Sequence, residues 1–216
     1  MSARDRILGR IAAKLGAAKP MDGRVVDIEA HIQRHSRGPI PEMEQEIVAR
    51  FKDRADKLSS DVVEVARLDQ VPAAAATYLR ERHLSMQAVC WPQFDSMGWD
   101  AAGLTVEARK AVGHDLVGIT GAFCAIAETG TLMLLSGPDT PASMSLLPET
   151  HVAILPVDRI VPSMEDAWAL LRKEKGQLSR AVNFVSGPSR TADIEQTVTL
   201  GAHGPYRVLV VLVGAT

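Results

Sequence analysis

The stretch Arg207–Val213, RVLVVLV, decides the fold class. Its valines and leucines fall on both faces of an extended chain, as in a strand covered on both sides by helices. Similar apolar runs recur upstream at Asp61–Ala66 (DVVEVA), Met86–Cys90, Asp115–Thr120, Gly130–Leu135, His151–Pro156 and Ala181–Val185. Helical spacing occupies the intervals. Glu42–Leu58 sets Ile47, Phe51, Ala55 and Leu58 on one side, and Val71–His83 follows, with Asp69 expected as its cap and Pro72 in its first turn. Ser163–Lys173 carries its own serine cap and an acidic first turn, Glu165 and Asp166. Strands alternating with helices of this length predict an α/β fold with a mostly parallel sheet flanked by helices.

The amino-terminal residues read differently. Ile7, Leu8, Ile11 and Leu15 form one helical face that ends at Gly16 and Pro20, and Gly23–Pro41 is polar and reads as an extended arm. The expected division is therefore a helix and arm over 1–41 and an α/β domain over 42–216. The 216 residues, 46% of them hydrophobic, suit one core without staples. A net charge of −2 argues against a nucleic-acid binder that relies on basic excess. Two cysteines make neither a disulfide framework nor the four thiolates of an iron–sulfur cluster. No apolar run reaches the about 18 residues of a membrane span, and charges interrupt Met1–Leu15 where a secretory segment would be apolar. A cytoplasmic, reducing compartment is the expectation.

In sheets of this kind ligands gather beyond the carboxyl ends of strands, which directs attention to the loops after Thr120, Leu135, Pro156 and Val185. Three glycine-bearing segments carry candidate chemistry. In Gly121–Thr131 (GAFCAIAETGT), read as a short helix running into the next strand, Glu128 is a candidate base, nucleophile or orienting acceptor, with Thr129 and Gly130 as ligand-binding neighbours. The plainer reading is a turn in which Glu128 accepts backbone N–H bonds. In Ser186–Glu195 (SGPSRTADIE), Ser189, Thr191 and Asp193 are placed to cap a helix opening there. Exposed N–H groups at such an entry, with Ser186, Ser189, Thr191 and the guanidinium of Arg190, suit phosphate or carboxylate; a self-satisfied helix entry is the competing account. In Leu200–Pro205 (LGAHGP), His203 stands between two glycines and is a candidate proton carrier, or a half-exposed turn residue.

Weaker signals complete the reading. The histidines form no metal-binding pattern; His31 and His35 are four apart, but in a segment that does not read as helix. Arg159 suits an anion or a surface salt bridge equally. Ser136–Asp139 (SGPD) either frames the crevice of the later SGPS turn or caps a helix. Trp91 and Trp99 read as packing, and Cys124 as a buried small residue.

Four motifs in order, AETGT at Ala127–Thr131, HVAILPVDRIV at His151–Val161, SGPSRTADIE at Ser186–Glu195 and GAHGP at Gly201–Pro205, resemble the lactate-utilisation protein C family, the LUD-domain proteins. The resemblance is strong over about 118–214 and looser over 42–113. It implies a fold of the NagB/RpiA/CoA-transferase-like group and a place beside two iron–sulfur cluster proteins that oxidise L-lactate to pyruvate. The chain is then expected to hold no cofactor of its own and to act as a non-redox subunit that binds a small anion. The alternative is a self-sufficient acyl- or CoA-transferase-like enzyme using Glu128, and a third reading is a pure scaffold.

Overall fold

Five of the seven apolar runs pair into one sheet and two into a second in a computed structural model, which describes residues 2–15, 28–39, 46–191 and 199–214. Among the described residues, β1 (Asp61–Val65), β2 (Gln87–Cys90), β3 (Thr105–Ala108), β4 (Val117–Gly121), β7 (Thr150–Pro156) and β12 (Arg207–Val213) form a parallel sheet in the order β1-β12-β7-β4-β2-β3. Val208, Leu209, Val210, Val211 and Leu212 of β12 are at most 1% exposed. Each such side chain stabilises the fold by about 1.5–3 kcal/mol relative to exposure. The fold class is as the sequence predicts: a mostly parallel central sheet with helices against it.

A smaller sheet joins β8 (Ile160–Val161), β5 (Cys124–Ile126), β6 (Thr131–Leu135) and β9 (Val182–Val185) in that order, with β5–β6 and β6–β9 antiparallel. The short helix expected before Glu128 is instead β5, and Ala127–Gly130 is the turn of a β-hairpin. Cys124, Ala125 and Ile126 are fully buried, and small side chains that fit a crowded sheet interior carry no helical or strand period over three residues. The polar edge strand β3, TVEA, also went unread.

Capping sets the helix boundaries. Helix α2 (Ile47–Lys57) starts where the Glu46 carboxylate accepts from the Val48 and Ala49 amides at 3.0 and 3.2 Å; residues 42–45 lie outside the described residues. Asp69 does not cap α3 (Val71–Glu81). It pairs with Arg67 at 2.6 Å, and a short helical turn at Leu68–Gln70 leads in, leaving Gln70 at the cap position. Short helix α4 (Ser143–Leu146) lies on β4, where a methyl at Gly118 would collide with the Met144 carbonyl. Helix α5 (Met164–Lys175) has the expected serine start: the Ser163 hydroxyl donates to Asp166 at 2.7 Å and accepts from its amide at 3.3 Å.

The chain divides into compact units Met1–Pro41 and Glu42–Thr216. In the first, α1 (Ala3–Leu15) leaves Ile7, Leu8 and Ile11 about half exposed. Residues 28–33 are helical where an extended arm was expected, and His31 lies within that helix. Ile28 and Ile32 stand one helical turn apart there, a spacing that the polar neighbours obscured. No helix among the described residues is long and apolar enough to cross a membrane.

Candidate functional site

The hairpin turn Ala127–Gly130 is fixed at both sides. The Ala127 and Glu128 amides donate to the Val161 and Pro162 carbonyls at 2.8 and 3.0 Å, and the Gly130 amide donates to Ile126 at 2.9 Å. Gly130 has φ +68°, and a Cβ there would stand 2.5 Å from the Ala55 nitrogen and 2.8 Å from the Arg54 Cβ, so the turn is pressed onto the last turn of α2. Glu128 is half-buried at the tip and Thr129 is exposed.

From this turn a chain of hydroxyls runs into the next motif. Thr129 Oγ1 donates to Thr131 Oγ1 at 2.8 Å, and Thr131 Oγ1 is hydrogen-bonded to Ser186 Oγ at 2.7 Å, with either hydroxyl able to donate. The antiparallel pairing of β6 with β9 brings them together, because Leu132 opposite Val185 sets Thr131 beside Ser186. Gly187, at φ +81°, leaves no room for a Cβ against the Leu58 carbonyl. Beyond it Arg190 Nη2 donates to Ser59 Oγ at 2.6 Å and Leu58 O at 3.4 Å. Thr129, Gly130, Ser186 and Arg190 thus share one patch around the end of α2.

The remaining candidates line its flank. The Ser189 amide donates to Pro205 O and its carbonyl accepts from the Gly201 amide, both at 2.9 Å. Arg190 and Thr191 form β10 and pair antiparallel with β11 (Thr199–Leu200). Ser189 therefore leads into an extended strand and caps no helix, and residues 192–198, Asp193 and Glu195 among them, lie outside the described residues. His203 is exposed between Gly201 and Gly204, and no hydrogen bond among the described residues links it to Glu128.

Sheet direction locates the patch. Leu58 and Ser59 precede β1, and Pro205 precedes β12, so the cluster sits at the amino ends of those parallel strands. The loops after Thr120 and Pro156 lie at the carboxyl edge instead. The SGPD turn is elsewhere again: Ser136 exchanges two bonds with Ala181, at 3.0 and 2.8 Å, closing the far end of the β6–β9 pair. Arg159 forks onto Glu174 at 2.7 and 3.0 Å and donates to Phe123 O at 2.9 Å. That guanidinium holds the Glu174 carboxyl below its usual range.

Arg54 escaped the sequence reading. It is half-buried, its backbone and Cβ press against Gly130, and its buried Nε has no hydrogen-bond partner; the same holds for the Nε of Arg50 one turn earlier. Neither arginine makes an ion pair among the described residues. A pair of arginines beside the Phe51–Ala55 stripe was the available signal. The patch thus offers hydroxyls and guanidinium donors, with no ion pair on Arg190 among the described residues, an arrangement suited to a small anion. No group of three or more His, Cys, Asp or Glu side chains among the described residues is placed to hold a metal ion.

Comparison with known proteins fits this architecture. The family model described as LUD domain matches residues 47–213. A protein named lactate utilization protein C from Halalkalibacterium halodurans is 30% identical over 97% of both chains. Proteins of the same name from Bacillus licheniformis and Bacillus subtilis are each 29% identical over 97% of this chain and 95% of theirs. The crystal structure of a DUF162 family protein from Deinococcus radiodurans superposes with TM-score 0.61 at 22% identity, covering 81% of this chain and 100% of the other, a likeness of fold.

Proposed function

Because the chain belongs to the LUD-domain family, we propose that it is a cytoplasmic, non-redox subunit of an iron–sulfur system that oxidises L-lactate to pyruvate. In this reading the crevice of Thr129, Gly130, Ser186, Ser189, Arg190 and Thr191 binds a small carboxylate or phosphate. The names of relatives matched over nearly their full length support the lactate part. The observation that carries the anion part is the hydroxyl chain Thr129–Thr131–Ser186 ending beside Arg190.

The donor arithmetic favours an acceptor ligand. When Thr131 donates to Ser186, the Ser186 proton is left for a ligand oxygen. Arg190 uses Nη2 on Ser59 and Leu58 and keeps further N–H groups of its fork. Oxidation of lactate to pyruvate releases two electrons and two protons. Two cysteines, both buried in the core, do not supply the four thiolates of a cluster, so the electrons go to partner proteins. His203, exposed at the flank, is the group in this reading that exchanges protons with solvent.

A second reading rests on Glu128. Its turn is pinned by two backbone bonds and its half-buried carboxylate stands next to Gly130, a geometry that suits attack on an acyl carbon with departure of a thiolate. Mass spectrometry after incubation with an acyl-CoA separates the two readings: a glutamyl adduct at Glu128 favours the enzyme.

The test of the first reading pairs growth with binding. A strain deleted for the gene and complemented with the wild-type chain should grow on L-lactate, and Arg190→Ala should grow poorly. Calorimetry with inorganic phosphate and with L-lactate should show saturable heat that Arg190→Ala removes. If the variant keeps both growth and binding, the crevice assignment fails.

A further inference from the structure

We propose a second ligand site at the carboxyl edge of the six-stranded sheet, between the ends of β2 and β4, that takes a small carboxylic acid with an apolar or aromatic body. The first observation is topological. After β2 the next strand of the large sheet is β3, on its outer side, whereas after β4 the chain passes through β5 and β6 of the small sheet and returns as β7, on the opposite side of β4. Loops that diverge from adjacent parallel strands leave a crevice at their carboxyl ends, where ligands of open α/β sheets bind.

The second observation is a cavity at that place. It holds about 400 Å³ and is walled by Leu68, Phe94, Phe123 and Ile154, with Gln93 and Lys175 as polar groups. That volume accommodates about a dozen water-sized groups at ~30 Å³ each, which lies within the range of small-ligand pockets. Gly121 forms part of its floor. A methyl there would meet Gln93 Nε2 at 3.2 Å, Phe94 at 3.3 Å and Trp91 at 3.4 Å, so the three side chains close in where glycine leaves space.

The third observation is the aromatic backing of the cavity. Trp91 is 6% exposed and packs its ring beside Gly121 behind the wall, and the Trp99 indole donates to Phe94 O at 2.7 Å, which fixes the backbone of a wall residue.

Charge selects the class of ligand. The Arg159 guanidinium on the cavity wall is neutralised by Glu174, whereas Lys175 makes no ion pair among the described residues. One net positive group at the rim of an apolar cavity matches one carboxylate on an apolar body. The site lies at the opposite edge of the sheet from the hydroxyl–arginine patch and stands or falls independently of it.

The test uses the full ¹⁵N-labelled chain and 3-phenylpropionate as probe. The Trp91 indole resonance, identified by its loss in Trp91→Phe, should shift saturably with the probe and far less with acetate. Lys175→Ala, an exposed substitution, should weaken binding about tenfold. Ala122→Phe, which fills the cavity, should abolish it. The proposal is overturned if no saturable shift appears at tens of millimolar probe, or if binding is unchanged in Lys175→Ala. Unchanged binding in a folded Ala122→Phe chain overturns it equally.

Discussion

Lowering the pH should destabilise this protein through one residue, His151. The ring lies on β7, fully buried, with Nε2 2.7 Å from Thr120 Oγ1 and Nδ1 without a partner. Burial disfavours the imidazolium and pushes the pKa down from 6.5 to about 4. The folded state therefore binds this proton later than the unfolded chain does. Stability is unaffected above the unfolded value, falls progressively as the pH drops from about 6.5 to about 4, and levels off below. The full difference is worth about 3 kcal/mol, and about 2 kcal/mol of it is gone by about pH 5. Urea denaturation from neutral pH down to about pH 4.5 measures the loss. The same series on His151→Gln removes the titrating group, and its stability should fall less by about that amount. Equal pH slopes in the two proteins, or a His151 ring that titrates in the folded state at its ordinary value, would refute the reasoning.

Three further expectations follow from local geometry. Gly130→Ala should cost at least about 2 kcal/mol in urea denaturation, because positive φ adds to collision with α2; Gly98→Ala, also at positive φ but facing open space, should cost about 1 kcal/mol, and equal losses would show that the α2 contact contributes nothing. Ser163→Ala should lower stability by about 1 kcal/mol through loss of the α5 cap, while Ser163→Thr keeps most of it. Cys90 and Cys124, both buried, have thiols pushed up to about 11 by desolvation. Iodoacetamide at neutral pH should therefore spare both in the native chain and label both in urea, as peptide mass mapping will show.

The strands that carry the fold were legible because burial on both faces leaves a plain mark, as in RVLVVLV and HVAILP. β3 was not, since Thr105, Glu107 and Ala108 are exposed on an edge strand. Nor was β5, whose three residues are too few to show a period. The motifs of the candidate patch were visible in order, but their meeting was not. The β6–β9 pairing sets Thr131 against Ser186, and the fold of the hairpin onto α2 carries the patch to the amino edge of the large sheet. Neither long-range pairing leaves a local sequence signature. Arg54 was invisible for the same reason, because its significance comes from Gly130, far away in sequence and in contact only after folding.

The most direct test of the central claim is gentle affinity purification of the tagged chain from its native cells at endogenous level, with co-eluting proteins identified by mass spectrometry. Recovery of cysteine-rich iron–sulfur proteins, together with lactate-dependent electron transfer in the eluate, is the predicted result. A chain that elutes by itself, with an eluate that does not oxidise lactate, would contradict the account.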